Sequence, residues 1–229
     1  MLSSRPPPLY PARAMDRKPA PLPEPEPVLG LILAGGRSSR MGGGDKTLLP
    51  LAGRPMLAHV AGRLGPQVAR MALSANGDPG RFAAFGLPVL ADAAPDRPGP
   101  LAGVLAGLDF AAGAGIGLVA VAPGDTPFLP GDLVARLRAA LASGAPLALA
   151  VAGGRDQPTC ALWRVGLRAA LRAGIAGGAA RVGDWMRAQG AAEAVLGEED
   201  AFFNVNRPTD LAEAQARIGR LPAAARGLI

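Results

Sequence analysis

The stretch "VLGLILAGGRSSRMGGGDK" (residues 28–46) decides how this chain is read. Its first seven residues carry no polar alternation, the pattern of a strand buried on both faces. At Gly35-Gly36 the run gives way to glycines, serines and two arginines, and Asp45-Lys46 closes it. Bare backbone N–H groups in such a turn can face a polyphosphate, with Arg37, Arg40 and Lys46 supplying charge. The spacing is not a Walker A sequence, because Lys46 follows Asp45 where that motif needs glycine. Nor is it a dinucleotide fingerprint: Gly42 and Gly44 lack a third glycine three residues on, and no acidic residue closes a second strand. Taken alone, the turn reads equally well as a plain strand-to-helix connection with solvated arginines.

Working outward, strand and helix patterns alternate. "RPMLAHVAGRLG" has helical spacing, "VARMALSA" is a second strand, residues 79–86 form a short helix, and "LPVLAD" is a third strand. "GPLAGVLAGLDFAAGA" is a helix with proline near its first turn, where a missing N–H costs least. "IGLVAVAPGD" is a fourth strand, "PGDLVARLRAALASG" an amphipathic helix, and "APLALAV" and "PTCALW" two further strands. Helices are expected around 164–173 and 178–189, and a last one from Pro208. This order predicts an α/β fold: a three-layer, doubly wound, mostly parallel sheet in a single domain, with its ligand crevice at the carboxyl ends of the strands. Gly35, Asn76, Asp92 and Asp125 each follow a predicted strand, so they should converge on one edge. The domain is expected over 28–220, between a Pro-rich tail at 1–27 and a short C-terminal tail at 221–229. Met15 is a possible start within the first of these.

The chain has 229 residues, enough for one sizeable core. It is 49% hydrophobic but only 4% aromatic, so that core must be Ala, Leu and Val. A net charge of +6 points to anionic partners. Scattered basic residues and few aromatics argue against nucleic acid. Of 24 basic residues only Lys18 and Lys46 are lysines, so a lysine inside a glycine loop runs against the composition. One cysteine, Cys160, excludes an internal disulfide and a Cys-rich zinc site. One histidine, His59, excludes multi-histidine metal sites and argues against a Ser-His-Asp triad. It sits in a helical stretch and reads as a surface or packing residue. No run is long enough to span a bilayer, and the first 27 residues lack a signal-peptide apolar region. The expected location is the cytoplasm, with no membrane partner.

Asp125, after the fourth strand, is placed to hold Mg²⁺, which commonly takes one or two carboxylates plus phosphate oxygens. A turn-initiating Asp before Thr-Pro is the plainer alternative. Asn76 and Asp92 could face the same ligand or merely cap helices. "FFNVNRPTDL" reads as strand-like, putting the Asn204 and Asn206 amides on one face, where they could orient a phosphate or a metal-bound water, or cap the Pro208 helix. If the ligand is a magnesium-bound triphosphate, nucleotidyl transfer needs positioning and charge cancellation more than a base or nucleophile.

"LAGGRSSRMGGGDKTLL" (33–49), "GPLAGVLAGL" (99–108), "PGDTPFLP" (123–130) and "FFNVNRPTDL" (202–211) resemble, as an ordered set, the molybdenum cofactor guanylyltransferases. The first motif alone marks only the wider nucleotidyltransferase superfamily. The resemblance implies GMP transfer from Mg-GTP to the phosphate of molybdopterin or Mo-molybdopterin, releasing pyrophosphate. It places Leu33, Ala34, Gly35, Gly36 and Arg40 over the nucleotide, Lys46 on its phosphates, and Asn76 and Asp92 in the nucleotide pocket. By the same match Asp125 binds Mg²⁺, and Lys46 and Asp125 are the catalytic pair. Asn204 and Asn206 lie by the acceptor, near "RDQPTCALW" (155–163). Delivery proteins for molybdopterin and chaperones of molybdoenzymes are conceivable partners. One departure is Gly124, where many relatives carry cysteine.

Three rivals stay in view. The cytidylyltransferase branch on the same pterin tends to carry Asn-Lys where this chain has Asp45-Lys46, and a different residue at Thr126. Sugar-1-phosphate nucleotidyltransferases usually read Gly-Thr-Arg where this chain has Ser38-Ser39-Arg40. A non-catalytic nucleotide-binding or cofactor-insertion protein would be favoured by a missing Lys46 or Asp125, and both are present.

Overall fold

A computed structural model describes residues 26–35, 45–94, 99–197 and 199–220. Its strands are β1 (Val28–Leu33), β2 (Pro50–Leu51), β3 (Arg54–Pro55), β4 (Arg70–Ser74), β5 (Val89–Leu90), β6 (Leu118–Pro123), β7 (Leu147–Ala152), β8 (Arg155–Arg164) and β9 (Ala192–Leu196). Its α-helices are α1 (Met56–Leu64), α2 (Pro100–Gly113), α3 (Leu133–Leu141), α4 (Arg168–Ala176), α5 (Val182–Ala188) and α6 (Pro208–Arg220). Seven strands form one sheet in the order β5-β4-β1-β6-β8-β7-β9, and β2 pairs β3 apart from it. Only β8 opposes its neighbours; β1 pairs in parallel with both β4 and β6. The predicted three-layer, mostly parallel sheet is what the chain forms.

Period-two alternation along β1 explains the layering. Val28 and Ile32 pack with α1 and α3 on one face, while Leu29 and Leu31 pack with α2, α4 and α5 on the other. Leu29, Leu31 and Ile32 are completely buried, and each such side chain contributes about 1.5–3 kcal/mol. α2 lies close on the sheet because two of the residues it turns toward β1 and β4 have no side chain. A Cβ on Gly107 would sit 2.5 Å from Leu31 Cδ2, and one on Gly103 would sit 2.4 Å from Ser74 Oγ. On that same face Trp163 and Trp185 stack with ring centroids 5.6 Å apart.

Four features depart from the sequence expectation. β9 is absent from it because "AEAVL" has alanine and glutamate, helix-favouring residues, where the sheet edge supplies a parallel partner in β7. Arg54-Pro55, predicted as the start of a helix, instead pair with Pro50-Leu51. The tight connection uses Ala52 and Gly53, both at positive φ (49° and 80°), as a two-residue hairpin turn requires. Residues 203–206, predicted strand-like, pair with no strand and follow a 3-10 turn over Glu199–Phe202. β8 is longer than "PTCALW" and slips register against β7 between Leu149 and Ala150. Pro158, which cannot donate to a ladder, falls in that irregularity.

Candidate active site

Four strands deliver their next residues to one crevice. Gly35, Asn76, Asp92 and Asp125 each lie two positions beyond the end of β1, β4, β5 and β6. Ala34 and Gly35 both donate backbone N–H to the Ser74 carbonyl, at 2.9 and 3.0 Å, which ties the exit of β1 to the end of β4. Asn76 and Asp92 bond reciprocally. The Asn76 amide donates to the Asp92 carboxylate at 2.8 Å, and the Asp92 backbone N–H donates to Asn76 Oδ1 at 2.9 Å. Gly77, at φ 84°, lets the chain reverse directly after this pair.

Lys46 opens a 3-10 turn over Lys46–Leu48 and reaches across the crevice. Its ammonium pairs with the Asp125 carboxylate and donates to Asn206 Oδ1 at 2.8 Å. Both members of the ion pair are four-fifths buried, with side chains 18% and 17% exposed. Asn204 stands beside them: its Oδ1 accepts from Thr126 Oγ1 at 2.6 Å, and Thr126 is itself buried. The backbone N–H of Val205, between the two asparagines, donates to the Asp125 carbonyl at 2.9 Å. An extended segment held by three contacts therefore achieves what a strand was expected to do.

Neither amide oxygen serves as a helix cap: Asn204 Oδ1 accepts from Thr126 and Asn206 Oδ1 from Lys46. Asp210 accepts the backbone N–H groups of Asn206 and Arg207, both at 2.8 Å, and so caps α6 itself. The two asparagine side chains are left for the crevice. Because Lys46 and Thr126 engage the amide oxygens, the NH₂ groups are left as donors with no acceptor among the described residues, which suits an anion.

Leu33, Ala34, Gly35, Lys46, Asp125, Asn204 and Asn206 line one cavity of about 270 Å³, with Thr47, Pro100, Pro123 and Thr159 completing its wall. Asn76 and Asp92 are outside that wall and form the exposed shoulder of the crevice. Gly36 and Arg40 lie outside the described residues. Asn204 also lines a second cavity of about 360 Å³, with Arg155, Gln157, Glu199, Asp200, Phe202 and Phe203. Two hollows sharing one amide can hold two ligands side by side. Cys160 is buried behind the site, and burial first, then the Asp125 charge, pushes its thiol above the usual range. It stays protonated.

Sequence reading missed Arg81 and the role of Thr126. Both act through long-range contacts, and neither sits at the end of a strand pattern. No signal in "DPGRF" sets that arginine apart.

A mostly parallel sheet that gathers a lysine, a carboxylate and the Gly35 backbone at its strand ends suits a nucleotide-handling transferase. Residues 30–193 match the MobA-like NTP transferase domain. The chain belongs to that family of nucleotidyltransferases. It is 54% identical over 189 residues to a molybdenum cofactor guanylyltransferase of Cereibacter sphaeroides, covering 82% of this chain and 96% of the relative. It is 50% identical over 196 residues to one from Mesorhizobium japonicum, covering 82% and 94%. Among solved structures, molybdopterin-guanine dinucleotide biosynthesis protein A from Archaeoglobus fulgidus shares the fold at 19% identity and a TM-score of 0.67, over 84% of this chain and 100% of that one. So does 4-diphosphocytidyl-2C-methyl-D-erythritol synthase from Anaerococcus prevotii, at 13% identity, a TM-score of 0.67, and 85% and 99% coverage.

Proposed function

We propose that the chain transfers GMP from Mg-GTP to the terminal phosphate of molybdopterin or its molybdenum-loaded form. The products are the guanine dinucleotide cofactor and pyrophosphate. The observation that carries this reading is the Lys46–Asp125–Asn206 junction in a cavity edged by the β1 exit. The name borne by relatives about half identical to this chain supplies the base and the acceptor.

The donor atoms fit Mg²⁺. Asp125 offers a hard carboxylate oxygen, and among the described residues no three His, Cys, Asp or Glu side chains converge to hold a metal alone. One carboxylate completed by phosphate oxygens and water is the usual arrangement for this ion. When bound, Mg²⁺ would neutralise charge on the phosphates and orient them. Asp125 would hold it there. Lys46 would exchange its carboxylate partner for phosphate oxygens and offset charge on the leaving pyrophosphate. Leu33, Ala34 and Gly35 would present backbone to the nucleotide, with Asn76 and Asp92 at its sugar-and-base end.

The Asn204 and Asn206 amides would donate to the acceptor phosphate, with the pterin extending into the hollow lined by Arg155 and Phe203. That phosphate is already an anion, so it attacks the α-phosphorus without a base. One P–O bond forms, the bond to pyrophosphate breaks, and no proton moves. We place this work in residues 28–220, in the cytoplasm where GTP is supplied.

Calorimetric titration with GTP, CTP and ATP in Mg²⁺, followed by an assay for dinucleotide, tests the reading. Selective GTP binding and formation of the guanine dinucleotide are expected. A preference for CTP would assign the chain to the cytidylyl reaction on the same acceptor.

A further inference from the structure

Arg81 is on the short 3-10 helix Pro79–Phe85, and no chemical role above falls to its side chain. Its guanidinium nevertheless joins them. It pairs with the Asp45 carboxylate. Through Nη1 it donates to the Asp78 carbonyl and through Nη2 to the Asn76 carbonyl, each at 2.5 Å. The cation lies 4.6 Å from the ring centroid of Phe82, a fully buried side chain that anchors this turn in the core. The Arg81 side chain is 24% exposed and that of Asp45 is 17% exposed.

These contacts complete a bonded path along the whole strand-end edge. Asp92 bonds Asn76, Arg81 bonds the Asn76 carbonyl and ion-pairs with Asp45, Asp45 precedes Lys46, and Lys46 meets Asp125 and Asn206. Without Arg81 the path splits between Asp45 and Asn76. Buried Thr47, Leu48 against the core and the Met56 N–H on the Leu49 carbonyl hold the far end of the turn. Its Asp45-Lys46 end, however, would lose its side-chain tie to the Asn76–Asp78 loop, and the ammonium would keep only Asp125 and Asn206, two groups the proposed reaction requires it to exchange for phosphate.

We infer that Arg81 is a positioning residue: it clamps Asp45-Lys46 to the Asn76–Asp78 loop, so that the lysine stays in place when its partners change. It touches no substrate in this scheme, and it rests on the reading of the crevice as a nucleoside triphosphate site. Only the planar, five-donor fork of arginine reaches a carboxylate and two carbonyls at once. Loss of the clamp transfers the ordering of the lysine turn to the moment of binding, which weakens affinity for ground state and transition state alike.

The test measures nucleotide affinity and steady-state kinetics of the full chain for Arg81→Ala, Arg81→Lys, Asp45→Ala and the double variant, with thermal melting as the control for folding. Arg81→Ala should raise KM and Kd for the nucleotide about tenfold or more with kcat within about threefold, Arg81→Lys should fall between, and the double variant should be no worse than either single one. Folded Arg81→Ala and Arg81→Lys proteins that bind as tightly as wild type would overturn the inference. So would simple multiplication of the Arg81 and Asp45 effects. If Arg81→Ala does not fold, Arg81→Lys with Asp45→Asn carries the same comparison. Wild-type preference for CTP, with loss of CTP affinity in Arg81→Ala, would overturn the guanylyl reading and leave the clamp standing. Failure of wild type to bind GTP, CTP or ATP would remove both.

Discussion

Lys46 and Asp125 neutralise each other in a partly buried pair, so removing either leaves the other without its counter-charge. Asp125→Ala should abolish Mg²⁺-dependent turnover, since the described wall of the Lys46 cavity then offers no carboxylate to the metal; rates near wild type would contradict the assignment. Lys46→Ala should lower turnover by roughly 10²-fold or more if its ammonium offsets charge in the transition state. A variant changed only in melting temperature would mark Lys46 as structural. His59 makes a different kind of prediction. It is buried on α1, and its Nε2 donates to the Leu51 carbonyl at 2.7 Å, fastening the β2–β3 hairpin. Burial holds its pKa below the ordinary 6.5, helped by the charges of Arg54 and Arg63 and opposed by the Leu51 bond. A histidine lowered in this way contributes stability that is complete above its unfolded value and lost as pH falls through the folded one. Melting temperature should therefore drop as pH falls below the ordinary histidine value of about 6.5, and His59→Gln should flatten that part of the profile. An unchanged slope in the variant would place the titration elsewhere.

At the scale of elements, α2 shows how one missing side chain sets a helix against a sheet. Gly107→Ala adds a methyl that meets Leu31 Cδ2 at 2.5 Å and its Cγ at 3.2 Å. That crowding costs about 1–3 kcal/mol, against about 1 kcal/mol gained in helix propensity. The expected result is a lower melting temperature. At Gly113, the end of the same helix, an added methyl would meet nothing within 4 Å, so Gly113→Ala should be neutral or raise stability by up to about 1 kcal/mol. Melting curves of the two variants side by side check the contrast. On α6, Asp210 holds the segment 203–206 in place by accepting two backbone N–H groups. Through that cap, a helix remote from the sheet helps hold Asn206, while Thr126 and the Val205–Asp125 bond hold Asn204.

Over the whole molecule, the described chain begins at Glu26, whose carbonyl accepts from Arg138 on α3 at 2.5 Å. The work proposed for the crevice draws on nothing before it. Deleting residues 1–25 should leave nucleotide affinity and turnover unchanged, as measured by the calorimetric titration and the dinucleotide assay; a large loss would show that the leading residues belong to the site. Among the described residues no helix is long and apolar enough to cross a membrane.

The amino-acid sequence by itself determined the layers and the edge where chemistry gathers. Buried-strand runs and helical periods are local properties, and a parallel sheet sends every strand-end the same way, so Gly35, Asn76, Asp92 and Asp125 could be placed without coordinates. The ordered motifs were equally legible, because each is contiguous. Tertiary structure alone decided the partners. Lys46 meets Asn206 across most of the chain, Thr126 turns the Asn204 amide, Arg81 finds Asp45, and β9 becomes a strand despite its composition. None of these is written in local spacing. A hydrogen bond between distant residues, or a sheet edge that overrides propensity, exists only once the chain has brought the two sides together.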